Sequence, residues 1–141
     1  MTKEKFSLIA LLILELLTLP CNAQTDPGSY STVVLMRRTG YTGSLSSYPI
    51  FMDGKRLCEV SNRKYSEHKI FPGKHTFSVN FGGKVEKNDV EKIELDMEAG
   101  KTYYLKLDQR NGFTMGIRLE ELTPASGISF KKELKEELDC K

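Results

Sequence analysis

The sequence predicts an all-β fold, an antiparallel β-sandwich of about 7–8 strands followed by a short C-terminal amphipathic helix. Three observations predict it. Short runs of alternating or continuous apolar residues recur between residues 30 and 122. Turn signals in which Gly stands beside Asp, Pro or Asn separate these runs at intervals of roughly 8–12 residues. After Pro124 the apolar spacing changes from two to four residues, as in Phe130, Leu134 and Leu138.

"YSTVVLMR" (30–37) is continuously apolar and β-branched, the pattern of a buried strand, and "RTGYTGSLSS" (38–47) is a Gly/Ser loop. "YPIFMDGKRLCEV" (48–60) is a hairpin folded at Asp53-Gly54. "KYSEHKIF" (64–71) and "KHTFSVNF" (74–81) are read as a second hairpin around Pro72-Gly73, with Ile70 opposite His75. On the second of these arms Phe77, Val79 and Phe81 share the buried face, leaving Thr76, Ser78 and Asn80 to solvent. "GGKVEKND" (82–89) is a polar connection, and "VEKIELDM" (90–97) places Ile93, Leu95 and Met97 together. "KTYYLKLDQ" (101–109) sets Tyr103, Leu105 and Leu107 against Tyr104, Lys106 and Asp108, and "FTMGIRLEEL" (113–122) completes the alternation. Gly54, Gly73, Gly100 and Gly112 are the turn-setting glycines. The final segment (129–141) reads as a helix capped by Ser129 or Ser126 and resting on the sandwich.

A chain of 141 residues with 39% hydrophobic and 28% charged residues accommodates one globular domain. The net charge of +2 comes from interspersed Lys and Glu, which argues against a nucleic-acid surface. The first 23 residues have another character: Lys3 and Lys5, an apolar stretch from Phe6 to Leu19, Pro20, and then Cys21-Asn22-Ala23. This is the anatomy of a secretory signal peptide, and the apolar stretch falls short of the roughly 20 residues a membrane span needs. The organisation expected is therefore signal peptide 1–23, flexible leader 24–29, sandwich 30–123 and helical tail 124–141. Two readings of Cys21 stand: removal with the signal, or acylation as a lipoprotein N-terminus, against which Pro20 departs from the usual preceding small residue.

Removal of the signal leaves Cys58 and Cys140, an even pair in a compartment that permits disulfides. Either they bridge, closing a loop of roughly eighty residues, or they are two free thiols.

Gly100-Lys101-Thr102 matches the end of a phosphate-binding P-loop, but the required upstream glycine position is Leu95 and the following run is a strand. Gly73-Lys74-His75 fails in the same way. His68 and His75 would share a face of the second hairpin, yet no further ligand is placed by sequence to complete a metal site, and no metal or cofactor is expected. A hydrolase pairing Cys58 with His68 or His75 lacks any local signature. Tyr41, Tyr48 and Tyr104 are the aromatic residues assigned to ligand contact, Tyr104 because it shares a face with Lys106 and Asp108.

"IFMDGKRLCEV", "FPGKHTFSVNF", "KIELDMEAGKTYYLKL" and "GFTMGIRLEEL", in that order, resemble the bacterial envelope family catalogued as domain of unknown function 2846. The "PGKHT" stretch also resembles the small sandwich repeats named for a Pro-Glu-Gly-Ala motif. The resemblance covers roughly residues 30–122. It implies a secreted or lipid-anchored β-sandwich with no assigned activity and no catalytic residues to transfer. The expectation is an exported, non-catalytic envelope module, periplasmic, secreted or anchored in the outer membrane through Cys21. Its partner would be an envelope protein or glycan, with a tyrosine-based carbohydrate or peptide site as the alternative.

Overall fold

A computed structural model describes residues 29–40, 45–110, 116–138 and 140. The signal segment with Cys21, most of the leader, Tyr41 and the Asn111-Gly112 turn lie outside the described residues. Among them the chain forms β1 (Ser31–Arg37), β2 (Pro49–Met52), β3 (Lys55–Glu59), β4 (Lys64–Ile70), β5 (Gly73–Val79), β6 (Lys92–Met97), β7 (Thr102–Arg110) and β8 (Gly116–Leu122). Helix α1 (Pro124–Lys131) and β9 (Lys135–Glu136) follow. Two sheets result, one ordered β8-β7-β1-β4-β9 and the other β3-β2-β5-β6. The all-β sandwich is as expected. The first sheet is mixed, because β1 runs parallel to β7 and β4 parallel to β9.

The main core lies between the sheets and contains Val33, Leu35, Ile50, Cys58, Phe77, Val79, Leu95, Leu105 and Leu107, with Cys140 packed against it. Strand β1 is buried along its whole length, which fits its continuous apolar sequence and its central place in the first sheet. Its alternate residues Val34 and Met36 point away from the main core and form a second cluster with Tyr104 and Leu134, covered by Phe130 and Leu122. The outer face of the first sheet is thus covered by the C-terminal segment, as expected of a tail that rests on the sandwich.

At the β2–β3 turn both Asp53 (φ 52°) and Gly54 (φ 76°) adopt left-handed backbone, the conformation that favours an Asp-Gly pair in a tight hairpin. Gly100 (φ 77°) turns the chain between β6 and β7, donating its N–H to Tyr30 O at 2.9 Å, while Lys101 O accepts from Thr32 N at 2.8 Å. The Lys101 ammonium pairs with Glu98 at 2.6 Å. The Gly-Lys pair therefore closes a turn against the start of β1.

Three sequence expectations are corrected. Strands β4 and β5 do not form a hairpin: β4 pairs with β1 in one sheet, whereas β5 pairs with β2 and β6 in the other. Phe71-Pro72 is the corner at which the chain changes sheets, and Gly73 (φ 133°) opens β5. Ser78 and Asn80 are buried, because the 82–90 connection folds back over them. Asn80 Nδ2 donates to Val85 O at 2.6 Å, its Oδ1 accepts from Lys87 N at 3.3 Å, and Ser78 Oγ donates to Glu86. Phe81, expected inside, is 60% exposed.

The helix begins earlier than its apolar stripe suggests. Thr123 caps it, its side chain accepting from Ser126 N at 3.3 Å, and Pro124 occupies the first turn, where its missing N–H costs nothing. It ends at Lys131. No helix among the described residues is long and apolar enough to cross a membrane.

Candidate functional site: the Cys58–Cys140 corner and the groove beside the C-terminal helix

The tail leaves α1 and runs along the outer edge of β4, where β9 sets Lys64 beside Lys135 and Tyr65 beside Glu136. Lys135 N donates to Arg63 O at 3.1 Å and Glu137 N to Tyr65 O at 2.8 Å. The Glu137 carboxylate accepts from Ser61 N (2.6 Å), Ser61 Oγ (2.7 Å) and Lys64 Nζ (3.2 Å). Burial raises its pKa, but these hydrogen bonds and the Lys64 charge outweigh that effect and hold it below the usual value.

So fastened, the tail delivers Cys140 to Cys58 on β3, with their Cα atoms 5.3 Å apart and the sulfurs paired as a disulfide. Of the two sequence readings of this pair, the bridge is one that the Cα separation allows without backbone movement. Cys58 is 1% exposed. Ser66 and His68 stand beside it on the inward face of β4: Ser66 Oγ lies 3.5 Å from Cys58 Sγ and 3.0 Å from His68 Nε2, which in turn lies 3.9 Å from Cys140 Sγ. Burial lowers the His68 pKa, favouring the neutral imidazole over the charged one.

His75 is elsewhere. Its Nδ1 meets Asp53 Oδ2 at 2.7 Å and its Nε2 meets Phe71 O at 2.9 Å, so the sheet change separates the two histidines that the hairpin reading had placed together. Both partners are acceptors, and only the imidazolium can donate to both at once. Asp53 raises the His75 pKa by hydrogen bond and charge, with burial opposing. For Asp53 itself burial acts upward, but hydrogen bonds from Thr76 N and His75 prevail and lower its pKa.

A raised histidine pKa contributes stability that is fully present below the unfolded value of about 6.5 and lost as pH rises through the folded value. The lowered Asp53 pKa contributes stability that is lost as pH falls through its folded value. In urea unfolding, His75→Gln is therefore expected to lose more stability relative to the wild type at about pH 5.5 than at about pH 8.5. An equal loss at both would show that the charged pair contributes nothing.

Tyr48 and Tyr104 are not exposed aromatics. Tyr48 is 1% exposed, with the Arg37 guanidinium 4.5 Å above its ring and Phe81 edge-on at 5.5 Å. Arg37 went unnoticed in the sequence; it is itself buried and donates to Val60 O at 3.0 Å and Ser46 O at 2.8 Å. Tyr104 lies beneath Gly127 of α1, and one side of it helps wall a groove of about 390 Å³ with Tyr65, Ile128, Lys131, Lys132 and Leu134. Lys131 pairs with Glu67 and stands 4.5 Å over the Tyr65 ring. Arg38 pairs with Glu133 and covers Phe130 at 4.7 Å.

Two packed sheets, a disulfide tying the tail to β3 and a small amphipathic groove define a β-sandwich module. The chain belongs to the family described as Protein of unknown function (DUF2846), whose model matches residues 27–117. No curated protein and no solved structure matches the chain. The matched span stops before α1 and β9, so Cys140 and most of the groove's lining lie beyond it.

Proposed function

We propose that the protein is exported and acts as a non-catalytic binding or structural module of the bacterial cell envelope. The observation that carries this reading is the Cys58–Cys140 bridge, because disulfides persist in oxidising compartments and are rare in the cytosol. The signal-like first 23 residues agree with it. A binding role in preference to catalysis fits a site in which Cys58 is engaged with Cys140 and His75 with Asp53.

The intact mass of protein purified from the membrane and soluble fractions of its native host, before and after reduction, tests the reading. The expected species begins at Gln24 and gains two hydrogens on reduction. A lipid-bearing species beginning at Cys21 would instead make it an envelope lipoprotein. Unprocessed protein beginning at Met1, with both thiols free, would overturn export.

A second reading is favoured by the groove. Tyr65 and Tyr104 set apolar ring surface in a groove that Lys132 also lines, with Lys131 already paired to Glu67, a lining suited to a glycan or peptide with a flat face and an acidic group.

A further inference from the structure

We infer that the Cys58–Cys140 corner, once reduced, is a binding site for one thiophilic metal cation, with Cys58 Sγ, Cys140 Sγ and His68 Nε2 as its ligands. The three donor atoms lie within 4.8 Å of one another. They come from β3, β4 and the C-terminal tail, so the fold assembles them from distant parts of the chain. Two thiolates and an imidazole are the donor set that selects zinc or cuprous copper over hard cations.

The geometry is close to what such an ion requires. Ligands at about 2.3 Å (sulfur) and about 2.0 Å (nitrogen) around one tetrahedral centre stand roughly 3.4–3.8 Å apart. Cys140 Sγ and His68 Nε2 are already 3.9 Å apart. Reduction must let the sulfurs separate by under about 2 Å, starting from a bond of about 2.05 Å. The tail can give this movement, since Leu138 is 86% exposed and Cys140 is only partly buried. His68 Nε2 is the ring nitrogen that faces the corner, 3.0 Å from Ser66 Oγ and 3.9 Å from Cys140 Sγ, so in the tautomer protonated on Nδ1 its lone pair is directed at the site. A disulfide by itself has no need of an imidazole at its end.

A water-soluble phosphine delivers two electrons to the disulfide, two protons join the sulfurs, and the phosphine leaves as its oxide with oxygen from water. Metal binding then releases the two thiol protons. The oxidised protein cannot bind in this way, so the redox state of the pair gates the site.

The experiment is an anaerobic titration of the phosphine-reduced full chain with Zn²⁺ and with Cu⁺, each against a chromophoric chelator, together with Co²⁺ to read a thiolate charge-transfer band. One equivalent of Zn²⁺ or Cu⁺ is expected to bind, with the stronger of the two identifying the ion class, and the oxidised protein is expected to bind none. Cys140→Ser should abolish the site, and His68→Gln should weaken it at least about tenfold. His68→Gln keeps both cysteines, so its fold can be checked by circular dichroism in the oxidised state. Reduced wild type binding no tighter than Cys140→Ser, full affinity in His68→Gln, or equal binding by the oxidised protein would each overturn the site.

Discussion

Replacing Cys140 by alanine is expected to remove most of the stability that the bridge confers, up to about 4–5 kcal/mol in the chain-entropy model. The magnitude follows from the loop: the bridge joins residues 82 apart, a long closure that restricts the unfolded chain far more than a local crosslink would. The native state supplies little of the loss, because Cys140 is only partly buried and its side chain is small. Cys58→Ala/Cys140→Ala should therefore be little worse than Cys140→Ala alone, the difference being the small cavity at the buried Cys58. Urea unfolding of the oxidised wild type and both variants decides it. A loss below about 1 kcal/mol for Cys140→Ala would mean that the bridge restrains nothing in the unfolded ensemble.

What the sequence conveys about this fold follows the range of each signal. Strand positions were legible, because alternation such as Ile93, Leu95, Met97 is imposed by the pleat itself and needs no knowledge of partners. Asp53-Gly54 was legible for the same reason, since a two-residue turn is decided by its own dihedrals. Pro72-Gly73 was not: a turn signal says that the chain bends, and only tertiary packing says whether the next strand pairs with the last or crosses to the other sheet. From that one pairing came the misplacement of His68 beside His75. The helix was read from its stripe of Phe130, Leu134 and Leu138, when the stronger local signal was Thr123-Pro124, a cap followed by a first-turn proline. Leu134 is buried after the helix has ended, by a tail that goes on to pair with β4. The bridge could be proposed from two cysteines, but the sequence offered Cys58 either histidine alike, and only the change of sheet after β4 places His68, 72 residues from Cys140, at its end.

Gly127→Ala reverses the ordinary helix rule. In an exposed helix interior the substitution stabilises by about 1 kcal/mol, since alanine loses less backbone freedom on folding. Here the new methyl group would fall inside Tyr104, 2.5 Å from its Cβ and 2.6 Å from its Cδ1. Tyr104 cannot withdraw, because it is 9% exposed and stands on a strand paired with β1 on one side and β8 on the other. Helix α1 must lift instead, straining the Lys131–Glu67 pair and the Phe130 packing beneath Arg38. A net loss of about 1–3 kcal/mol is expected, the range for overpacked sites. Ser129→Ala, on the exposed part of the same helix, should be neutral or slightly stabilising and isolates the propensity effect. Tyr104→Ala combined with Gly127→Ala should cost less than the sum of the two single changes, since removing the ring removes the clash. Gly127→Ala stabilising the protein as much as Ser129→Ala does would show that α1 does not rest on Tyr104, and the groove they form together would lose its wall.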